Sequence, residues 1–195
     1  MNIVNVGYAS TNYYVIGSGA NRVLIDVGWP RTSGKLLANF KRKGIAVPEI
    51  RYLLATHYHP DHAGLVQELK NMGMRLMVAE GQRDAIPLLK QWMKPEMGYL
   101  DIDLRDNTEV ALASSRAFLA KLGIEGEIVA TPGHSDDSVT VVLDSGDAFT
   151  GDLQSESRAD EADIATVKKS WDTLRSMNVR TIHPGHGPSR PAVAP

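Results

Sequence analysis

The chain of 195 residues is long enough to bury one hydrophobic core, and its 43% hydrophobic and 23% charged residues are ordinary for a globular protein. We expect a single domain over residues 1–195. The formal net charge of −2 gives no electrostatic reason to expect nucleic acid or a membrane as a partner. The absence of cysteine excludes disulfides and thiolate metal ligands.

The N-terminal residues lack the basic start and the apolar run of a signal peptide. No stretch of the sequence is both long enough and apolar enough to span a bilayer. The lack of cysteine also fits a reducing compartment. We therefore expect a cytoplasmic protein.

The first part of the chain combines short strands with one helix. Apolar runs bounded by Gly, Ser and Asn predict strands over residues 2–6, 12–17 and 22–28. Helical periodicity then predicts a helix over residues 33–44, with Ser33 as its N-cap and Gly44 as its stop. The basic run Lys41-Arg42-Lys43 is interpreted as the solvated end of that helix.

Strands and helices continue along the rest of the chain. Further strands are predicted over residues 51–56, 74–80, 127–131, 138–144, 147–152 and 179–182. Further helices are predicted over residues 63–73, 114–123 and 161–179, whereas residues 82–107 stay unassigned. Apolar residues of the last helix recur at helical spacing and predict a stripe that faces the core: Ile164, Val167, Trp171, Leu174 and Met177. This pattern favours sheets covered by helices, with function on the loops at strand ends.

Half of the six histidines lie in one short segment, ATHYHPDHAG, residues 55–64. His57 and His59 are two positions apart in an extended segment, so their side chains can point to the same side. Asp61 and His62 follow where the next helix begins. Imidazole and carboxylate groups at this spacing can hold two metal ions, and they suit zinc as well as iron, nickel or cobalt. A helix cap beside surface histidines is the plainer alternative.

Residues of the metal-ligand type also follow other predicted strands, at turns that contain glycine or proline. They are His134 in ATPGHSDDS, His183 and His186 in IHPGHGP, Asp152 in FTGDLQ and Asp26 in VLIDVG. Each of them alone is a weak signal, because such residues often satisfy the backbone of their own turn. The order and spacing of the whole set are far more specific.

The combined pattern resembles the metallo-β-lactamase-fold hydrolases. Their signature is H-x-H-x-D-H followed far downstream by a His, an Asp and a His. It is matched here by His57-Tyr-His59-Pro-Asp61-His62 and then by His134, Asp152 and His186. The resemblance extends from Asp26 to Pro188. It implies an α+β fold, a four-layer αββα sandwich, with a metal site at one edge between the two sheets.

The resemblance also implies a role for each residue. The first metal would be held by His57, His59 and His134, and the second by Asp61, His62 and His186. Asp152 would bridge both metals, and Asp26 would orient a ligand from outside the metal's own coordination. His183 is interpreted as a structural or outer residue and not as a ligand. The implied cofactors are two divalent ions, namely zinc, with iron or manganese as alternatives.

A centre of this kind is implied to be a binuclear hydrolase. Two close divalent ions lower the pKa of a bridging water toward ~7, and the resulting hydroxide would attack a small ester, thioester, lactone or β-lactam. Asp61 would bind metal and also orient the nucleophile or carry its proton. Glyoxalase II-like thioesterases share this ligand set but carry a further C-terminal domain. We expect none here, because nine residues follow His186.

Two other functions are left open by the sequence. One is an iron-dependent oxidoreductase or sulfur oxygenase of the same fold; mononuclear sulfur oxygenases bind iron through two His and one Asp, so the full ligand set is unfavourable for that role. The other is a non-catalytic metal-binding scaffold, which would be expected to lose ligands, and none is lost. Four residues are candidates for a small-molecule substrate pocket: Trp29, Arg31, Trp92 and Met97. The alternative for these four is the core or a subunit contact, and a homodimer is left open.

Overall fold

The computed structural model describes residues 2–192. Its strands are β1 Asn2–Asn5, β2 Tyr14–Gly17, β3 Arg22–Ile25, β4 Ile50–Leu54, β5 Arg75–Ala79, β6 Thr108–Val110, β7 Gly126–Ala130, β8 Val139–Leu143, β9 Asp147–Gly151, β10 Thr181–Pro184 and β11 Arg190–Pro191. Its α-helices are α1 Ser33–Arg42, α2 Pro60–Ala63, α3 Val66–Lys70, α4 Ser115–Ala120 and α5 Ile164–Ser176. Over these residues, no helix has the length and apolar character needed to cross a membrane.

The strands form two sheets. The first has six strands in the order β1-β2-β3-β4-β5-β6, and the second has five in the order β11-β10-β9-β8-β7. Strands β3 to β6 run parallel to one another, and β9 runs parallel to β10. Consequently the carboxyl ends of several strands meet at one edge of each sheet, which is where loops of the two sheets can approach each other.

Successive side chains along a strand point to opposite sides of the sheet, and both sides are buried in each of the two sheets. In β4, Leu53 packs on one side with α1 and α3, and Leu54 packs on the other side against the second sheet. In β8, Val141 faces the first sheet and Val142 faces α5. The period of two along a strand therefore places three hydrophobic clusters between four layers. The predicted αββα sandwich is confirmed.

Several predicted elements are confirmed with shorter bounds, and a few are wrong. The predicted helix 63–73 is divided, because residues 64 and 65 form a turn between α2 and α3. Helix α1 is preceded by Thr32 as its N-cap residue, and Ser33 is its first residue and donates to Glu68 instead. Gly44 ends the helix region with a φ of 67°, as predicted for a stop. Strands β6 and β11 were not predicted.

Two further corrections concern side chains. His183 lies inside β10 and not on a loop. In α5, Ile164 is 37% exposed, because it is the first residue of the helix, whereas Val167 and Leu174 of the predicted stripe are buried. The unassigned residues 82–107 form irregular backbone with short 3₁₀ turns at Ile86–Trp92 and Pro95–Met97, before β6 begins.

Candidate metal centre

The predicted ligand residues come from loops at one edge of the two sheets. The first sheet contributes Asp26 directly after β3, and the irregular segment after β4 with α2 contributes residues 57–62. The second sheet contributes His134 after β7, Asp152 after β9 and His186 after β10. His57 and His59 lie on a bend after β4 and outside any strand, although His59 itself has the extended backbone that the sequence predicted, with φ −94° and ψ 159°.

The loops bring together all seven residues predicted as ligands. Three groups have ligand-type atoms within 4.8 Å of one another: His57, His59 and His134; His57, His62 and Asp152; and Asp61, His62 and His186. The first and third groups contain the same residues as the two predicted metal sites. Asp152 lies between them, with Oδ2 3.7 Å from His134 Nε2 of the first group and 3.3 Å from His186 Nε2 of the third. Metal ligation by these residues stays a prediction.

Three of the histidines are anchored through Nδ1, which leaves Nε2 for the cluster. His57 Nδ1 lies 3.1 Å from Thr56 Oγ1, and His62 Nδ1 lies 2.9 Å from Asp26 Oδ2. His186 Nδ1 lies 2.7 Å from the carbonyl oxygen of Ser10, a hydrogen bond in which the imidazole must donate. Such bonds select the tautomer in which Nε2 keeps its lone pair.

Asp26 is the common anchor of two of these histidines. Its buried carboxylate accepts hydrogen bonds from the Thr56 backbone N–H at 2.7 Å and from His62 Nδ1 at 2.9 Å. The Thr56 hydroxyl donates to the same carboxylate at 3.0 Å, so its oxygen accepts from His57 Nδ1. One carboxylate therefore orients both imidazoles, directly for His62 and through Thr56 for His57. Asp26 has a φ of 59°, a conformation that Asp tolerates better than most residues.

Several buried polar atoms inside the cluster fit a bound cation. Within residues 2–192, His57 Nε2, His62 Nε2 and Asp152 Oδ1 are buried without a well-formed hydrogen bond, and the last two lie 3.4 Å from each other. These three atoms belong to the three residues of one of the groups, His57, His62 and Asp152. Burying polar atoms without partners is costly, and a divalent cation would satisfy all three at once. The residues present therefore fit a metal centre of nitrogen and oxygen ligands.

The pKa values of two central histidines are shifted in opposite directions. Burial and the neighbouring imidazoles hold the pKa of His57 well below its ordinary value, so this ring is neutral. Burial also disfavours the charged form of His62, but the carboxylates of Asp26 and Asp152 outweigh it and raise the pKa of His62 to about 10. A cation that binds His62 Nε2 must therefore displace a proton.

Gly185 has no room for a side chain behind the cluster. A Cβ at this position would lie 2.4 Å from Asp152 Oδ1 and 2.6 Å from His62 Cε1. We expect Gly185→Ala to displace these side chains and to weaken metal binding about 10–100-fold, measured by chelator competition on the folded protein. Gly34→Ala is the matched control, because a Cβ there meets nothing within 4 Å. Equal losses in the two variants would contradict this role for Gly185.

His183 lies apart from the cluster. Its ring stacks on Phe149 with centroids 4.9 Å apart, and its two nitrogens lie 2.8 Å from Asp147 Oδ1 and 2.8 Å from Ser189 Oγ. We expect His183→Ala to lower the free energy of unfolding by about 1–3 kcal/mol through these lost contacts. The metal content, measured by elemental mass spectrometry, should stay unchanged. Loss of one metal would show that the choice of His186 over His183 as a ligand is wrong.

Of the four candidate pocket residues, Trp92 contacts the cluster. Its ring lies 5.5 Å from the ring of His59 in an edge-on arrangement, and it is 61% exposed, so it forms a wall beside the first group. Arg31 instead lies over Gly98, where a Cβ would meet its side chain at 2.5 Å. Trp29 is 40% exposed and Met97 is partly buried. A pocket role for these residues stays a prediction.

Sequence reasoning missed residues that hold the cluster through hydrogen bonds. Thr56 is one of them, and Thr11 is another, because its hydroxyl donates to Asp61 Oδ2 at 3.0 Å. The third is Gln82, whose side chain is fully buried. Its amide donates to the carbonyl oxygens of Ala55 at 2.9 Å and Asp137 at 3.2 Å, and so connects the loop before His57 with the loop after His134. No local pattern signals such contacts.

The comparisons with known proteins agree with the fold. The protein-family model for the metallo-beta-lactamase superfamily matches residues 6–74. A beta-lactamase-like protein 2 homolog from Caenorhabditis elegans is 28% identical over 91% of this chain and 56% of its own length. An atrochrysone carboxyl ACP thioesterase from Aspergillus fumigatus is 29% identical over 91% of this chain and 50% of its own length. The chain thus spans about half the length of these curated relatives.

Solved structures have the same fold. A metallo-beta-lactamase from Novosphingobium pentaromativorans has a TM-score of 0.72 at 19% identity, over 95% of this chain and 73% of that chain. A protein solved in a di-iron-bound form has a TM-score of 0.71 at 25% identity, over 98% of this chain and 94% of that chain. The resemblance to the metallo-β-lactamase superfamily and the predicted fold class are confirmed.

Proposed function

We propose that this chain, which has the metallo-β-lactamase fold, is a metal-dependent hydrolase with a binuclear centre that acts on a small thioester or ester. The observation that carries the proposal is the set of seven His and Asp side chains converging at one edge of the sandwich. The buried, unpaired atoms His57 Nε2, His62 Nε2 and Asp152 Oδ1 support a bound cation. Zinc is the metal we propose first, because its usual nitrogen and oxygen ligands are all present.

The residues of the chain divide into holding, orienting and proton-transfer roles. His57, His59 and His134 would hold one cation, Asp61, His62 and His186 the other, and Asp152 would contact both. When bound, two such cations supply a water that loses its proton near neutral pH and polarise the substrate oxygen. Asp26 keeps His62 in the binding tautomer from behind.

Asp61 lies where it could accept the proton of the attacking water. Its Oδ2 is oriented by the Thr11 hydroxyl at 3.0 Å and lies 3.1 Å from His186 Nε2. Its side chain is 18% exposed, so a water molecule can reach it from solvent. We assign it to bind a cation, to orient the nucleophile and to accept its proton.

The thioester class is favoured by one relative and by the shape of the site. The Aspergillus fumigatus relative is a thioesterase by name, at 29% identity. The exposed ring of Trp92 beside His59 offers an apolar surface for an acyl group. We propose a small-molecule substrate and not nucleic acid or a membrane; lactones and β-lactams complete the panel to be assayed.

The metal itself is the first test. We expect elemental mass spectrometry of protein purified without added metal to find close to two zinc ions per chain. The same preparation should hydrolyse at least one member of a thioester, lactone and β-lactam panel, and a chelator should remove both metal and activity. Metal-loaded protein without turnover on any of these substrates would favour the non-catalytic scaffold.

An iron-dependent redox enzyme is the second candidate. It is favoured by the relative at 25% identity that was solved in a di-iron-bound form. Iron in place of zinc, near one or two ions per chain, together with oxygen consumption in the presence of a thiol, would bring this candidate to the front. The histidine and carboxylate ligands suit either metal, so metal analysis is the decisive measurement.

A further inference from the structure

A cleft of about 890 Å³ lies beside the candidate centre, on the side of the second group. It is bounded by the turn at residues 7–12, the C-terminal end of α1 and Gly187. Two of its lining residues also contact the cluster. Ser10 accepts a hydrogen bond from His186 Nδ1 at 2.7 Å, and Thr11 donates to Asp61 Oδ2 at 3.0 Å. The cleft and the second group therefore share one wall.

The lining of the cleft is positively charged. It includes Arg42 and Lys43, and no acidic residue from the described part of the chain lines it. This is the basic run that the sequence analysis interpreted as a solvated helix end. The chain as a whole carries a formal charge of −2, so the local positive potential is not a general property of the surface.

Arg42 is held at the cleft by a buried amide. Asn39, 7% exposed, donates to the carbonyl oxygens of Val6 at 2.9 Å and Gly7 at 2.8 Å, which lie at the base of the turn. The Asn39 side-chain oxygen in turn accepts from the guanidinium of Arg42. This contact orients Arg42 and occupies one of the five N–H donors of its guanidinium, which leaves the others available.

The charge of Arg42 is not compensated by that contact. Arg22, Arg116 and Arg175 each pair with a carboxylate, at 2.8, 2.5 and 2.8 Å respectively. The hydrogen bond found for Arg42 is instead to a neutral amide oxygen. An oriented guanidinium with free donors and an uncompensated charge is suited to phosphate or carboxylate.

We propose that this cleft binds an anionic group of the substrate, a phosphate ester or a carboxylate, remote from the bond that is cleaved. The scissile carbonyl would then lie at the metal cluster, with the uncharged end of the substrate toward Trp92 and its anionic end, on the acyl or the thiol side, along Ser10 and Thr11 toward Arg42. This assignment rests on the proposed hydrolase function and adds the charge of the substrate to it.

Three thioesters and two variants test the assignment in the metal-loaded protein. Acetyl-CoA carries phosphates, S-succinyl-N-acetylcysteamine carries a carboxylate, and S-acetyl-N-acetylcysteamine is uncharged. We expect the double variant R42Q/K43Q to raise KM about tenfold for a charged thioester and to change KM for the uncharged one less than about twofold. K41Q is the matched control, because Lys41 belongs to the same helix but does not line the cleft.

The outcomes separate the anion site from the hydrolase function. An effect on acetyl-CoA alone identifies phosphate, and an effect on the succinyl thioester alone identifies carboxylate. Equal changes for charged and uncharged thioesters, or the same change in K41Q, would overturn the anion site. If no thioester is hydrolysed, the hydrolase proposal fails on these substrates. Calorimetric titration with coenzyme A and the succinyl thioester then tests the anion site by itself. Binding that R42Q/K43Q weakens about tenfold keeps the site, and binding that is absent or unchanged removes it.

Discussion

His59→Ala is expected to remove the cation of the first group and to reduce kcat/KM for any hydrolysed substrate by about 10³-fold or more. The first group consists of three imidazoles, and His59 Nδ1 lies 3.0 Å from His134 Nε2, so both nitrogens point to the same place. Without His59, two imidazoles are left, too few to hold a cation tightly. The measurement is metal content per chain by elemental mass spectrometry, followed by kcat and KM on the best substrate of the panel.

The control for His59→Ala is the same change at His183, which lies apart from the cluster. Both variants should remain folded by circular dichroism, because the side chains of His59 and His183 are only partly buried. Only the first variant should lose metal. Normal metal content with full activity in His59→Ala would refute the first group as a metal site.

Asp26→Ala is expected to have the largest effect on stability, because one buried carboxylate accepts hydrogen bonds from Thr56 and His62. Removing a buried partner of this kind costs about 3–5 kcal/mol of unfolding free energy. Alanine at a φ of 59° adds about 1–2 kcal/mol of backbone strain. The measurement is urea unfolding of the metal-free protein, monitored by circular dichroism.

Asp26→Asn separates the orienting role of Asp26 from its role in stability. Asparagine has the same size and tolerates the left-handed backbone, but its amide nitrogen donates and does not accept, so the side chain loses a hydrogen bond from Thr56 or from His62. We expect it to lose less stability than Asp26→Ala and still to bind metal about 10–100-fold more weakly, measured by chelator competition. Asp144→Ala, at an exposed ion pair with Arg116, should change stability by less than about 1 kcal/mol. Unchanged metal affinity in Asp26→Asn would leave Asp26 a structural residue only.

The contribution of the cluster to stability and its predicted affinity for metal depend on the same hydrogen bonds. His57, His62 and His186 present Nε2 to the cluster because their Nδ1 atoms are held by Thr56, Asp26 and Ser10. The contacts of Thr56 and Asp26 also hold the loops after β3 and β4 together, and the contact between Ser10 and His186 joins a loop of the first sheet to a loop of the second. Changes in Asp26 should therefore lower both stability and metal affinity, whereas changes in His59, which is bonded to another predicted ligand, should affect metal alone.

Local sequence patterns predicted most of the fold. Short, nearly continuous apolar runs identify β4 and β8 because each strand has two buried faces, and the helical stripe identifies α5 because one face packs on the second sheet. The same patterns failed for the predicted helix 63–73. Its apolar spacing persists across the turn at residues 64 and 65, where Gly64 must approach the Gly28 carbonyl oxygen, 2.7 Å from an ideal Cβ. A contact of that kind depends on a loop from another strand.

The sequence by itself predicted which residues form the cluster and, through the family resemblance that they carry, the layered architecture. Both depend on residue type and spacing, which are properties of short segments. Only the tertiary structure decided which nitrogen each histidine presents, that Asp26 orients His62 from 36 positions away, and that Ser10 holds His186 from 176 positions away. It also decided that the basic end of α1 lines a cleft beside the second group. These features are contacts between loops of different strands, and their distances are set when neighbouring strands pair and when the two sheets pack against each other.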